Sequence, residues 1–192
     1  EVPLVATGPI RKSVTTVTSQ TGGTINLPAG IENALPGTGR TRVWASTFDN
    51  ADVFNHLDFL VTYPYGCVEQ TTSGTRPLIF SARIFETLSP EVAARKGGVT
   101  RMIQSGVARV LSMRTPSGGL GYWPGAMKAT VWGTAYAMDM LLDAKRYGYD
   151  VPQDRLNELT VWLKTQTQNS GRSTMSTNTK AYALYVLAKS GQ

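Results

Sequence analysis

From Asp49 to the end of the chain, run after run of apolar side chains recurs at helical spacing, separated by loops rich in Gly, Pro, Ser and Thr. This constrains the fold more than any other feature, because a single apolar stripe on each helix has to be buried against another helix. In NADVFNHLDFLVTY the stripe is Val53, Phe54, Leu57 and Leu60, with Asp49 or Asn50 as N-cap. A short helix is expected at CVEQTTS, and a separate one from Pro77, with Ile79, Phe80, Ile84 and Leu88 near helical spacing. Ser89-Pro90 reads as a cap followed by Pro at the first helical position. Thr100 opens a helix through Met102, Ile103, Val107, Val110 and Leu111. Further helices are expected at TVWGTAYAMDMLLDAKRYG, VPQDRLNELTVWLKTQ and NTKAYALYVLAKS, and AYAMDMLLDA and AYALYVLAKSG share an Ala-Tyr-Ala core, a weak internal repeat. Helical hairpins of this kind stack into a solenoid or close into a ring. The expectation is an all-α fold, an incomplete α/α-toroid of helical hairpins, although periodicity alone supports only the all-α part.

Residues 1–47 differ. Short β-favouring stretches, SVTTVTSQ and TRVWASTF, alternate with Gly/Pro punctuation at Gly22-Gly23, Pro28-Ala29-Gly30 and Pro36-Gly37. The expected division is an extended β-rich arm or linker over 1–47 and a helical domain over 48–192. The start, EVPLVATGPIRKS, lacks the basic and apolar regions of a signal peptide, and the end stops at an amphipathic helix; both read as the interior of something longer.

Composition narrows the chemistry. A hydrophobic content of 41% and a charged content of 17% are globular values, and no apolar run approaches the roughly 20 residues of a membrane span. The net charge of +6 comes from scattered cations, Arg11-Lys12, Arg40, Arg42, Arg95-Lys96 and Lys145-Arg146, and none is interleaved with aromatics as a nucleic-acid face would be. These pairs read as solvated faces. One Cys and one His exclude an internal disulfide and a tetrahedral metal site, and no cofactor is expected.

The chemistry concentrates in Tyr63-Pro64-Tyr65-Gly66-Cys67-Val68-Glu69-Gln70-Thr71-Thr72. Cys67 and Gln70 lie three apart. If Gln70 opens the first turn of a helix, its side chain can fold back toward residue 67. The thiolate can then attack the carboxamide carbon and expel ammonia, closing a small ring through a thioester. Such a bond hydrolyses in water, so it needs a dry surrounding. Candidate shields are Tyr63 and Tyr65 before the Cys and Tyr122-Trp123 in the Gly-rich loop PSGGLGYWPG, with Pro64 and Gly66 shaping the turn.

PYGC-x-EQ resembles the thioester signature of alpha-2-macroglobulins and complement thioester proteins. YPYGC, an aliphatic residue and EQTTS are similar to the bacterial branch, as are GGLGYWPG, TAYAMDMLLDAKRYGYDVP, AYALYVLAKSG and PLVATGP. The resemblance implies a protease trap and not an enzyme. Proteolysis of a bait region elsewhere exposes the thioester, and a protease lysine attacks the Gln70 carbonyl, which leaves the attacker covalently bound and the Cys67 thiol free. It implies Cys67 as the acyl-holding sulfur, Gln70 as the acyl donor and Tyr63 as a covering aromatic, with no chemical role for Glu69. Its implied partners are target proteases and other domains of the same protein; its implied location is the periplasm, anchored at the inner membrane through a part outside this chain. Position 68 is Val where bacterial relatives often carry Leu and eukaryotic ones Gly. The downstream His of hydroxyl-selective complement proteins is absent, and His56 lies upstream, so amines should be preferred over hydroxyls.

Other readings of these residues are weaker. A lone Cys is ordinarily a small buried hydrophobe, which would leave Gln70 and the PYG turn as coincidences. A Cys–His hydrolase would need His56, eleven residues upstream on a different helix, with no Asn or Asp placed to orient it. GGLGYWPG lacks the Lys-Ser/Thr of a phosphate loop and reads equally as a turn with packed aromatics. Trp132, Tyr136 and Met140 read as core. Terpenoid cyclases share helical rings, but no Asp-rich diphosphate motif is present. A scaffold or binding domain whose thioester never forms, or a thioester adhesin, remain the alternatives in other functional classes.

Overall fold

The computed structural model describes residues 66–88, 98–169 and 175–191, with isolated positions between 13 and 43. The chain divides into two compact units, Glu1–Ala51 and Asp52–Gln192. Most of the expected arm, the helix expected over NADVFNHLDFLVTY, the Ser89-Pro90 start and His56 lie outside the described residues. So do Tyr63 and Tyr65.

Among the described residues the second unit is helical: α1 Val68–Leu88, α2 Val99–Leu111, α3 Val131–Arg146, α4 Gln153–Gln168 and α5 Thr177–Lys189. The four helices expected after Thr100 form close to their expected bounds. The two expected around Pro77 are one, because Pro77 sits inside α1. Proline removes a single N–H and crowds the preceding turn. Here buried packing on both sides carries the helix through it, with Thr72 and Thr75 fully or nearly buried before it and Leu78 and Ile79 after it. The hydroxyls of Thr72, Thr75 and Ser81 each bond back to the carbonyl four residues earlier, at 2.6, 2.7 and 2.5 Å. The stripe expected past Pro77 is corrected in one place: Ile79 is buried, whereas Phe80 is exposed and meets Tyr147 edge-on at 5.3 Å.

Helix α3 is the centre of the unit and packs against α1, α2, α4 and α5. It is therefore buried nearly all round, with Ala135, Ala137, Met138, Met140, Leu141 and Ala144 shielded from solvent. Its end is set by Gly148, at φ 87°. The Gly148 N–H reaches Lys145 O, and the Tyr149 N–H reaches Ala144 O, both at 3.0 Å, which is a Schellman closure. The start of α5 is capped by Ser176, whose hydroxyl accepts from the Thr179 N–H at 3.2 Å. Of the aromatic stripe on α3, Met140 is core. Trp132 and Tyr136 are half-buried and stack at 5.0 Å, with Tyr182 of α5 a further 6.5 Å from Tyr136.

Two devices fix α1 to its neighbours. Gly106 of α2 faces Thr75, and a Cβ there would collide with the threonine side chain, so the two helices approach as closely as a glycine allows. The second device is ionic. Asp139 and Asp143, one turn apart on α3 and almost fully buried, meet Arg76 of α1 and Lys189 of α5. Tyr182 Oη donates to Asp139 Oδ2 at 2.8 Å. Burial works against the charge on Arg76 and Lys189, but the two carboxylates outweigh it and hold both cations above their ordinary values. Burial first, and then the bond to Asp139, pushes the Tyr182 hydroxyl well above its ordinary value.

Candidate functional site: the Cys67–Gln70 turn

Gly66 and Cys67 precede α1, and Gln70 is its third residue. Cys67 thus stands at the N-cap, with its carbonyl accepting from the Thr71 N–H at 2.9 Å. At the third position of a helix, a Gln side chain can turn back to the unpaired N–H of the cap residue, the reciprocal half of a capping box. Gln70 does this: its Oε1 accepts from the Cys67 N–H at 3.1 Å. The carboxamide is therefore held at residue 67, as the three-residue spacing predicts for a Gln in the first turn. Cys67 is a free thiol of intermediate exposure, and Glu69 and Gln70 are exposed.

Gly66 serves this arrangement through its missing side chain. It is not one of the positive-φ glycines. A Cβ built on it would stand 2.5 Å from Gln70 Cβ and 2.9 Å from Gln70 Oε1. The sequence suggests a glycine that shapes a turn; the structure gives one that leaves space for the folded-back glutamine. Thr71 adds a hydroxyl bond to Gly66 O at 3.3 Å, tightening the approach to the helix.

The Gly-rich loop reaches the turn through its backbone. The Tyr122 carbonyl accepts from the Val68 N–H at 3.0 Å, which satisfies another of the orphan donors of the helix start. The loop itself is braced from below. Leu120 is fully buried, its N–H bonds Thr134 Oγ1 at 2.9 Å, Gly121 N–H bonds Met113 O, and Thr130 N–H bonds Leu120 O. Gly119 lies where a Cβ would strike the Trp162 ring of α4. The side chains of Tyr122 and Trp123 are 41% and 54% exposed. Their loop is thus anchored beside Val68, while both rings remain open to solvent in this chain.

Val68 is fully buried and sits against Gly133 of α3, where an added Cβ would come within 3.1 Å of Val68 Cγ1. One turn on, Ser73 Oγ meets Tyr136 Oη at 3.0 Å. Sequence reasoning did not find these supports. The Tyr122 carbonyl leaves no signature in residue type, and the Gly133–Val68 contact joins glycine and valine from distant segments. Among the described residues there is no group of His, Cys, Asp or Glu able to hold a metal ion, and no helix is long and apolar enough to cross a membrane.

Comparison with known proteins agrees with this architecture. A family model described as the A-macroglobulin TED domain matches residues 43–184. Alpha-2-macroglobulin of Escherichia coli K12 is 30% identical over 184 residues, 88% of this chain and 11% of that protein. The crystal structure of Salmonella alpha-2-macroglobulin reacted with methylamine superposes with a TM-score of 0.60 at 32% identity, over 73% of this chain and 10% of that one. The crystal structure of trypsin-activated alpha-2-macroglobulin from E. coli gives a TM-score of 0.56 at 31% identity, over 67% and 9%. The chain thus spans about a tenth of the length of these relatives, and its helices are those of an α/α-toroid. On both the sequence match and the shared fold, this chain belongs to the A-macroglobulin family, as its TED domain.

Proposed function

We propose that Cys67 and Gln70 close an internal thioester and that the domain is the covalent-capture element of a protease trap. The observation that carries this reading is the Gln70 side chain folded back onto residue 67, Oε1 at 3.1 Å from the Cys67 nitrogen, in a chain whose Salmonella relative was crystallised after reaction with methylamine. A small amine is the expected partner of an exposed thioester, since it attacks the acyl carbon and releases the thiol. That an E. coli relative is described as trypsin-activated fits proteolysis as the trigger. In this reading a lysine amine of the attacking protease takes the place of methylamine. The protein acts once per molecule, as an inhibitor and not as an enzyme, and other domains of the same protein carry the bait. The periplasm is the compartment proposed for it. Tyr63, Tyr65, Tyr122 and Trp123 are the proposed shields of the bond. Amines are preferred over hydroxyls, for the only histidine, His56, precedes the motif.

Intact mass of the purified chain before and after methylamine, with thiol titration alongside, tests this. A thioester gives a mass low by one ammonia, then a methylamine adduct at Gln70 and one new free thiol. An unmodified mass with a free Cys67 throughout, and Gln rather than Glu at position 70 by peptide mapping, would leave the scaffold reading in its place.

A further inference from the structure

We propose that the backbone N–H of Cys67 is the oxyanion donor for the Cys67–Gln70 chemistry, and that Gly66 is the positioning residue that keeps Gln70 Oε1 against it. This rests on the reading that the pair forms a thioester. The same hydrogen bond has a purely structural use, as half of a capping box. What makes it chemical here is the identity of the cap residue. A capping box ordinarily has Ser or Thr at the N-cap and a Glu or Gln at the third helical position. With Cys at the cap, the residue whose N–H polarises the Gln70 carbonyl is also the residue that bears the nucleophile. The donor is 3.1 Å from Oε1, and Oε1 is the atom on which negative charge develops.

In ring closure, Cys67 Sγ gives its electron pair to Gln70 Cδ and the carbonyl π pair moves onto Oε1. As the carbonyl re-forms, the Cδ–Nε2 bond breaks and the nitrogen leaves as ammonia, taking up the thiol proton. In capture, an amine nitrogen attacks the same carbon and Oε1 again carries the charge. The Cδ–Sγ bond then breaks, and sulfur leaves with the proton of the amine as a free thiol. Both tetrahedral intermediates place their charge on Oε1, so one fixed N–H lowers both barriers without reorganising. Gly66 is what permits the geometry, because any Cβ at that position would overlap Gln70 Cβ and Oε1.

The test replaces the Gly66–Cys67 amide by an ester, with the α-hydroxy analogue of cysteine at position 67 of the full chain, which exchanges the donor N–H for an oxygen and leaves the side chain unchanged. Methylamine aminolysis is followed by intact mass and thiol release, and far-UV circular dichroism reports the fold. The expected loss in rate is about ten- to a hundredfold, below that of an enclosed oxyanion hole because Gln70 is exposed in this chain. A folded ester variant that reacts at the parent rate overturns the proposal, whereas one that never closes the ring supports it. Gly66→Ala is expected to lower both the closed fraction and the rate, and parent values there would remove Gly66 from the device. Should neither variant fold, the carbonyl stretch of the unmodified chain, labelled with ¹³C at Gln70 Cδ, decides. A hydrogen-bonded thioester absorbs at lower wavenumber than a model alkyl thioester in an aprotic solvent, and a stretch at the aprotic value overturns the proposal. If the parent chain itself shows neither ammonia loss nor methylamine uptake, the thioester reading fails, and this proposal with it. If the parent reacts and the variants match it, only this proposal fails.

Discussion

Replacing Lys189 by Met removes one of the two cations that face a buried pair of like charges. Lys189 Nζ lies 2.6 Å from Asp139 Oδ1 and 2.5 Å from Asp143 Oδ1, and the two carboxylate side chains are only 1% and 6% exposed. Arg76 remains, with Nη2 at 2.8 Å from Asp139 and 3.1 Å from Asp143. Its second contact is an ion pair without a directed hydrogen bond, since Asp143 Oδ2 has no hydrogen-bond partner. One cation then has to compensate two buried carboxylates. Breaking a buried pair from one side costs about 3–5 kcal/mol, and the lower end applies because Arg76 persists. For a domain of this size that is a fall in Tm of roughly 6–12 °C. Thermal and urea unfolding at neutral pH read it directly, and the exposed Lys164→Met is the control, expected within about 0.5 kcal/mol of the parent. Pairing Lys189→Met with Asp143→Asn restores the charge balance, so the double variant should be less destabilised than the sum of the singles. A Lys189→Met chain within about 1 kcal/mol of the parent, or strictly additive effects in the double variant, would refute the view that these residues share one buried ionic network.

Other perturbations follow from the same contacts. Tyr182→Phe deletes a bond to a buried carboxylate and should cost about 1.5–3 kcal/mol in urea unfolding. Gly106→Ala forces a Cβ onto the Thr75 side chain and should destabilise by about 1–3 kcal/mol, with Thr75→Ala/Gly106→Ala, which removes the colliding Oγ1 and Cγ2, recovering part of it. Leu120→Ala empties the support of the Gly-rich loop and should cost about 2–5 kcal/mol, read by thermal melting. The pH dependence has a definite sign. Lys189 and Tyr182 both titrate above their ordinary values in the folded chain, so their contribution is complete below about pH 10 and is lost as pH rises through the folded values. Urea midpoints should therefore fall above about pH 10, and fall less steeply in a Tyr182→Phe/Lys189→Met chain.

Helices were readable in the sequence where one apolar stripe dominates, as with Ile103, Val107 and Val110 of α2, all buried. They were misread at Pro77, where the local preference of proline is to start or stop a helix and only tertiary packing reverses it. Phe80 misled for the converse reason: an aromatic near helical spacing can still lie on the outer face, and here its partner is another exposed ring, Tyr147. The fold-back of Gln70 onto residue 67 was readable because its spacing is itself geometry: the third residue of a helix reaches its cap. The supports of the pair were not, since the Tyr122 carbonyl and the open Cα of Gly133 act through backbone and space rather than side-chain chemistry. The ionic network left a partial trace. Two aspartates four apart inside AYAMDMLLDA, an otherwise apolar run, imply buried charge, but Arg76 and Lys189 lie in distant segments and only the fold pairs them.

These pieces divide α1 into two parts with different demands. Its distal part, from Thr75 through Arg76 to Ile79, is fixed by a glycine-close crossing with α2 and by buried charge shared with α3 and α5. Its start holds the Cys67–Gln70 pair, with Cys67 only partly covered and Gln70 exposed. Between them Val68, buried against Gly133, and Ser73, bonded to Tyr136, pass the rigidity of the core forward. A first turn left to itself frays, because its N–H groups lack intrahelical partners. Here the Val68 N–H goes to Tyr122 O and the Cys67 N–H to Gln70 Oε1, so two of these donors are satisfied by the loop and the side chain that shape the Cys67–Gln70 turn. Order at the turn thus depends on the loop that carries Tyr122 and on Gln70 itself. In the proposed capture, aminolysis of the thioester would leave a substituted amide at Gln70, still able to accept from Cys67. The helix start should therefore survive capture, with amide exchange of Cys67 and Val68 protected before and after reaction with methylamine. Loss of that protection on reaction would show that the thioester, and not the capping bond, orders the turn.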